Sequence, residues 1–147
     1  MKKTCAEIMT PDPVRCIPSD TAYWAAYLMK TKDIGPLPVV ETEEDNQLIG
    51  IVTDRDLALK VVGEARDPRN TRIADVMTRE LVTCRGEDDV EEVLRAMSEN
   101  HVRRIPVVDA KDRLIGMIAQ ADVALRLAEP ATTAELVKEI SKSKEAA

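Results

Sequence analysis

Aromatic side chains are scarce: phenylalanine is missing altogether and the aromatic fraction is 2%. A core without them must be assembled from Val, Ile, Leu, Met and Ala, and there is no platform of rings for single-stranded nucleic acid. Positive charge is also in deficit. The formal net charge is −6 and the pI about 4.9, so bulk electrostatics disfavour nucleic acid and anionic membranes as partners. The cysteines (Cys5, Cys16 and Cys84) are odd in number with no CxxC spacing, which suits reduced thiols better than a disulfide framework. No apolar run approaches the roughly 20 residues of a membrane span. Lys2 and Lys3 are followed by no apolar stretch, so the start does not read as a signal peptide. The expectation is a cytoplasmic protein.

Catalytic constellations are missing too. The one histidine is His101, whose place reads as a polar helix end. There is no G-x-S-x-G, no P-loop and no G-x-G-x-x-G after a strand. No carboxylate pair stands out by spacing, and Glu43-Glu44-Asp45 reads as a solvated hairpin tip. The expectation is a protein that is not an enzyme, requires no cofactor and holds no metal.

What is present is a repeat. Shifted by 68 positions, Ala6, Met9, Thr10, Val14, Cys16, Asp20, Met29, Pro38, Val39 and Val40 meet Ala74, Met77, Thr78, Val82, Cys84, Asp88, Met97, Pro106, Val107 and Val108. After a two-residue shortening, Leu48-Ile49-Gly50 meets Leu114-Ile115-Gly116, and Asp56, Ala58 and Leu59 meet Asp122, Ala124 and Leu125. Order is kept along the whole unit, the signature of a duplication. The division is residues 1–62, a polar linker at 63–72, residues 73–128, and a C-terminal helix and tail at 129–147.

Each unit reads as β-α-β-β-α, an α+β fold. In the first, the pattern predicts strands at 14–17, 37–40 and 48–53, with helices at 21–32 (capped by Thr21) and 54–62. In the second, strands fall at 82–85, 104–108 and 113–119 and helices at 89–99 and 120–128. The first helices carry matching seams, Ala22, Ala25, Ala26 and Met29 against Val90, Val93, Leu94 and Met97. Their other faces differ: Glu91, Glu92, Arg95 and Ser98 are polar, whereas Tyr23, Trp24, Tyr27 and Leu28 are apolar. Such a face meets either the terminal helix or another chain. A homodimer contact through Tyr23, Trp24 and Tyr27 is favoured, because Trp and Tyr anchor interfaces.

Two segments look like binding surfaces. In Gly50 to Asp56 a strand runs into a helix, where free backbone amides favour an anion. Thr53 can donate to a phosphate, and Asp56, three residues on, can accept from two ribose hydroxyls. In His101 to Asp109, adjacent Arg103 and Arg104 precede an apolar strand and call for a carboxylate or a bound anion. Cys16 and Cys84 stand at equivalent positions. Zinc at these thiols with Cys5 or His101 is an alternative, although structural zinc usually has more tightly spaced ligands.

The unit resembles the CBS domain, and two of them resemble a Bateman module. The motifs are Ile8-Met9-Thr10 and Val76-Met77-Thr78, then Ile34 to Val40 and Val102 to Asp109, then Gly50 to Leu57 and Gly116 to Val123. The resemblance implies pseudo-twofold-related units packed sheet to sheet, with two clefts for an adenosine ligand: AMP, ADP, ATP or S-adenosylmethionine. It implies one cleft from Thr53, Arg55, Asp56, Thr78, Val82, Val102 and Arg103, and another from Thr10, Val14, Ile34, Gly35, Arg104 and Asp122. Ala119 and Ala121 stand where the first unit has Thr53 and Arg55, so the Asp56 cleft is expected to bind more tightly. A stand-alone pair of this kind would pass its output to a separate effector protein. The alternative without a nucleotide is a dimeric interaction scaffold.

Overall fold

The computed structural model describes residues 3–126. The helix and tail expected at 129–147 lie outside them. In chain order the elements are α1 (Cys5–Ile8), β1 (Thr10–Pro11), α2 (Ala22–Lys32), β2 (Leu37–Val40), β3 (Leu48–Val52) and α3 (Asp54–Leu57). They continue with β4 (Cys84–Arg85), α4 (Val90–Asn100), β5 (Arg104–Val108), β6 (Leu114–Ala119) and α5 (Gln120–Arg126). A π-helical turn, Ala58–Val62, extends α3, and a short 3-10 turn covers Ile73–Asp75.

Two compact units result, and their boundaries are not those of the sequence repeat. One is Val14–Leu81; the other joins the N-terminal segment, up to Pro13, to the chain from Val82 onward. Each repeat thus lends its leading segment to the other's body.

In the unit Val14–Leu81, β2 and β3 form an antiparallel hairpin with a register shift between Val39 and Val40. Single bridges widen it on both sides, Cys16 to Val39 in parallel and Ile51 to Thr78 antiparallel. The expected strand at 14–17 is reduced to that one bridge. Ile17 N–H turns instead to Asp20 Oδ2 at 3.0 Å, which ends the ladder after Cys16. Leu37, Val39, Val52, Ile73 and Val76 are fully buried, each contributing about 1.5–3 kcal/mol by leaving water. Thr21 caps α2, accepting from Trp24 N at 3.0 Å. The inward seam of α2 is Ala22, Ala25 and Leu28, while Ala26 is exposed and Met29 half-buried. This corrects the expected seam: burying Leu28 removes more apolar area from water than burying the methyl of Ala26.

The other unit repeats the plan with a fuller sheet, in strand order β1-β6-β5-β4. β4 runs parallel to β5, and β5 and β1 pair antiparallel with β6. Its core includes Ile8, Val90, Val93, Leu94, Met97, Ile105, Val107 and Ile118, as the seam of α4 requires. Asp89 caps α4 through Glu91 N at 3.0 Å. His101 closes it in the left-handed conformation (φ 54°), as Asp33 closes α2 (φ 52°).

One glycine in each unit admits the leading segment. A methyl group at Gly50 would stand 2.8 Å from Met77 Sδ and 3.1 Å from the Thr78 carbonyl oxygen. At Gly116 it would press into Met9 Sδ and stand 3.1 Å from the Thr10 carbonyl oxygen. The Met-Thr segments therefore lie directly on β3 and β6, and this brings Thr78 and Thr10 to the strand-to-helix corners.

Candidate functional site

The corner at the end of β3 is built on a reciprocal capping box. Thr53 Oγ1 accepts from Asp56 N at 3.0 Å, and Asp56 Oδ2 accepts from Thr53 N at 3.0 Å. Thr78, carried in over Gly50, donates its hydroxyl to Asp56 at 3.1 Å from Oδ1 and 3.2 Å from Oδ2. Lys60, one turn on, places Nζ 3.0 Å from Asp56 Oδ1 and 3.0 Å from the Val76 carbonyl oxygen. Asp56 is one of only two buried polar or charged residues among those described, 8% exposed. A carboxylate that deep needs such partners, because an unpaired buried charge costs several kcal/mol.

The equivalent corner after β6 is sparser. Asp122 Oδ2 accepts from Ala119 N at 3.1 Å and from Thr10 Oγ1 at a long 3.5 Å. Ala119 provides no hydroxyl, so only half of the capping box exists. Gln120 N donates to the Arg103 carbonyl at 3.0 Å, and Gln120 Oε1 is buried with no hydrogen-bond partner among the described residues.

The structure therefore brings Thr53, Asp56 and Thr78 together in one unit, and Thr10 and Asp122 in the other. Arg55 is exposed, its amide bonded to Asp54 Oδ1 at 3.0 Å. Val82, Val102 and Arg103 belong to the unit that holds Asp122, as does Arg104. Val14, Ile34 and Gly35 belong to the unit that holds Asp56. Three of the amides expected to be free at the start of α3 are bonded: Arg55 N to Asp54, Asp56 N to the Thr53 side chain, and Leu57 N to the Thr53 carbonyl. The Thr53 hydroxyl proton is left over, since its oxygen only accepts within the box. Lys60 escaped the reading of the sequence, although its i,i+4 spacing from Asp56 is that of a helical ion pair.

The thiols are buried. Cys16 Sγ lies 3.7 Å from the Pro38 carbonyl oxygen, and Cys84 Sγ lies 3.9 Å from that of Pro106. Burial, with Asp20 nearby, pushes the Cys16 thiol up to about 12. Cys84 is also raised, chiefly by a hydrogen bond with Cys5 and then by burial. Cys5 and Cys84 share one unit and Cys16 lies in the other. Among the described residues, no three His, Cys, Asp or Glu side chains converge on a possible metal position. No helix among them is long and apolar enough to cross a membrane.

The sequence profile of the CBS domain matches residues 5–63 and again residues 73–129. The chain belongs to the CBS domain family. Among solved structures, this CBS pair is similar to Hypoxic Response Protein I with two coordinated zinc ions (TM-score 0.77, 30% identity, covering 85% of this chain and 99% of that one). It is similar to the CBS domain pair of protein MJ0100 in complex with 5′-methylthioadenosine and S-adenosyl-L-methionine (TM-score 0.73, 26% identity, 85% and 95% covered). A third is CBSX2 in complex with AMP (TM-score 0.71, 28% identity, 92% and 98% covered).

Proposed function

We propose that this CBS pair is a non-catalytic sensor that binds an adenosine ligand, with AMP, ADP, ATP and S-adenosylmethionine as the candidates. The observation that carries the reading is the Asp56 corner. A buried carboxylate there lies within one hydrogen bond of Thr53 and Thr78, and two similar CBS pairs hold adenosine compounds. Asp56 takes the ribose hydroxyls, and Thr53 donates its spare proton to a phosphate with Arg55 adding charge. Thr78, in the same unit, completes the corner. The second corner uses Asp122 with Thr10 and Arg104 of its own unit, and binds more weakly because Ala119 has no hydroxyl. Ligand at about 100 times its Kd raises stability by about 2.7 kcal/mol. Thermal unfolding with each of the four compounds should show this as a rise in Tm. No rise with any of them at millimolar concentration would contradict the proposal.

A second reading concerns assembly and rests on α2. All three aromatic residues of the chain lie on its outer face: Tyr23, Trp24 and Tyr27 are 45%, 42% and 45% exposed. Trp24 and Tyr27 stack at 5.5 Å between centroids, and Arg69 covers Tyr23 at 5.2 Å. Rings so exposed and pre-stacked suit a homodimer contact, which also provides a surface for an effector protein. Gel filtration of Trp24→Glu tests this: conversion of a dimer to a monomer supports it, and an unchanged elution volume contradicts it.

A further inference from the structure

Asp56 holds one donor more than its capping box and Thr78 provide. An ionised carboxylate accepts about four hydrogen bonds. At Asp56, Oδ2 takes the Thr53 amide, Thr78 spans both oxygens, and Oδ1 takes the Lys60 ammonium. A ligand diol bonding both oxygens must displace one of these. The Thr53 amide cannot leave without undoing the cap of α3, and Thr78 is fixed through its backbone, paired with Ile51 at 2.8 and 2.9 Å. Lys60 is the movable partner. Its side chain is 41% exposed on a flexible stem, so its ammonium can swing into water at small cost.

We propose that Lys60 is a built-in competitor for the ligand at Asp56. Its ammonium occupies the Oδ1 position that a ribose hydroxyl takes, and binding requires it to leave. The inference rests on the adenosine-ligand reading above and adds a regulatory element to it. Departure of Lys60 also breaks its bond to the Val76 carbonyl, so the segment that carries Thr78 loses one of its ties when the site fills. Lys60 therefore sets how much ligand is needed and couples occupancy to the leading segment of the second repeat. The Asp122 corner has no lysine at that spacing; the residue there is Arg126.

The test is calorimetric titration of the full chain with AMP. Lys60→Met keeps the aliphatic stem and removes the competing charge, so AMP should bind about three- to tenfold tighter. Lys60→Gln should also tighten binding, and it guards against a fold defect peculiar to Met; Lys60→Arg should stay within about twofold of the parent. In an Asp56→Asn background, where the tight binding event is lost, Lys60→Met should not restore it, since the competition exists only through that carboxylate. If the parent binds AMP and both neutral variants bind it equally well or more weakly, the competitor role is overturned while the adenosine reading stands. If neither parent nor variants bind AMP, ADP, ATP or S-adenosylmethionine, both are overturned.

Discussion

In the unit Val14–Leu81 the strand-to-helix aspartate has a complete capping box, a threonine hydroxyl and a lysine around it; in the other unit the described partners of Asp122 are one amide and a distant hydroxyl. Both corners arise the same way. A glycine on the preceding strand lets a Met-Thr segment lie across it, and the threonine reaches the aspartate. The difference comes down to single side chains. Where Thr53 stands, Ala119 follows in the copy, and the hydroxyl lost there is both half the cap and the group proposed to meet a phosphate. The outer helix faces diverge as well: α2 presents rings, whereas α4 presents Glu91, Glu92 and Arg95. Duplication preserved the backbone plan in both halves, while the chemistry at equivalent positions went two ways.

Removing each aspartate separates the two corners most strongly. Asp56→Ala strands Lys60, Thr78 and the Thr53 amide at once and should cost about 2–3 kcal/mol. Asp122→Ala should cost about 1 kcal/mol. Urea unfolding of the two variants checks the order, and equal losses would mean the corners are equivalent after all. Next comes the glycine that both units share. Gly50→Ala places a methyl 3.1 Å from the Thr78 carbonyl and closer to Met77, and should destabilise by about 1–3 kcal/mol. Loss of AMP affinity should accompany it, because Thr78 is pushed from Asp56.

Ala119→Thr sharpens the comparison from the other side. A hydroxyl at the N-cap of α5 should restore the missing half of the box and add about 0.5–1 kcal/mol of stability. It should also narrow the difference in ligand affinity between the sites. The remaining expected effect is alkaline. Cys16 is protonated in the fold up to about 12, against an ordinary value of 9.0. Its contribution is therefore full below pH 9.0 and declines as pH rises from there toward 12. In unfolding measured between pH 8 and 11, Cys16→Ala should lose less stability with rising pH than the parent; parallel curves would exclude the thiol as the cause.

Much of the fold was legible in the residues. The 68-residue repeat predicts both hairpins and both long helices, and the structure has them at 37–40 with 48–52, 104–108 with 114–119, 22–32 and 90–100. The exchange of leading segments was not legible. Local patterning tells which residues of 4–13 are apolar, but not that Thr10 pairs with Met117 of the second repeat. The seam of α2 was misplaced by one position because Ala26 and Leu28 border the same stripe, and helical periodicity alone does not rank a methyl against an isobutyl group. At the site, Thr53 and Asp56 followed from their spacing at a helix start. Thr78 came only through family resemblance, and Lys60 was passed over because an i,i+4 charge pair on a helix is usually surface decoration.

Under the proposed function, tighter binding of the adenosine ligand belongs to the corner around Asp56. It is tested most directly by titrating AMP into Asp56→Asn and Asp122→Asn, each checked for folding by its thermal transition. Asp56→Asn should abolish the tighter binding event while Asp122→Asn leaves it within about twofold of the parent. Loss of tight binding in Asp122→Asn, with Asp56→Asn unaffected, would contradict it.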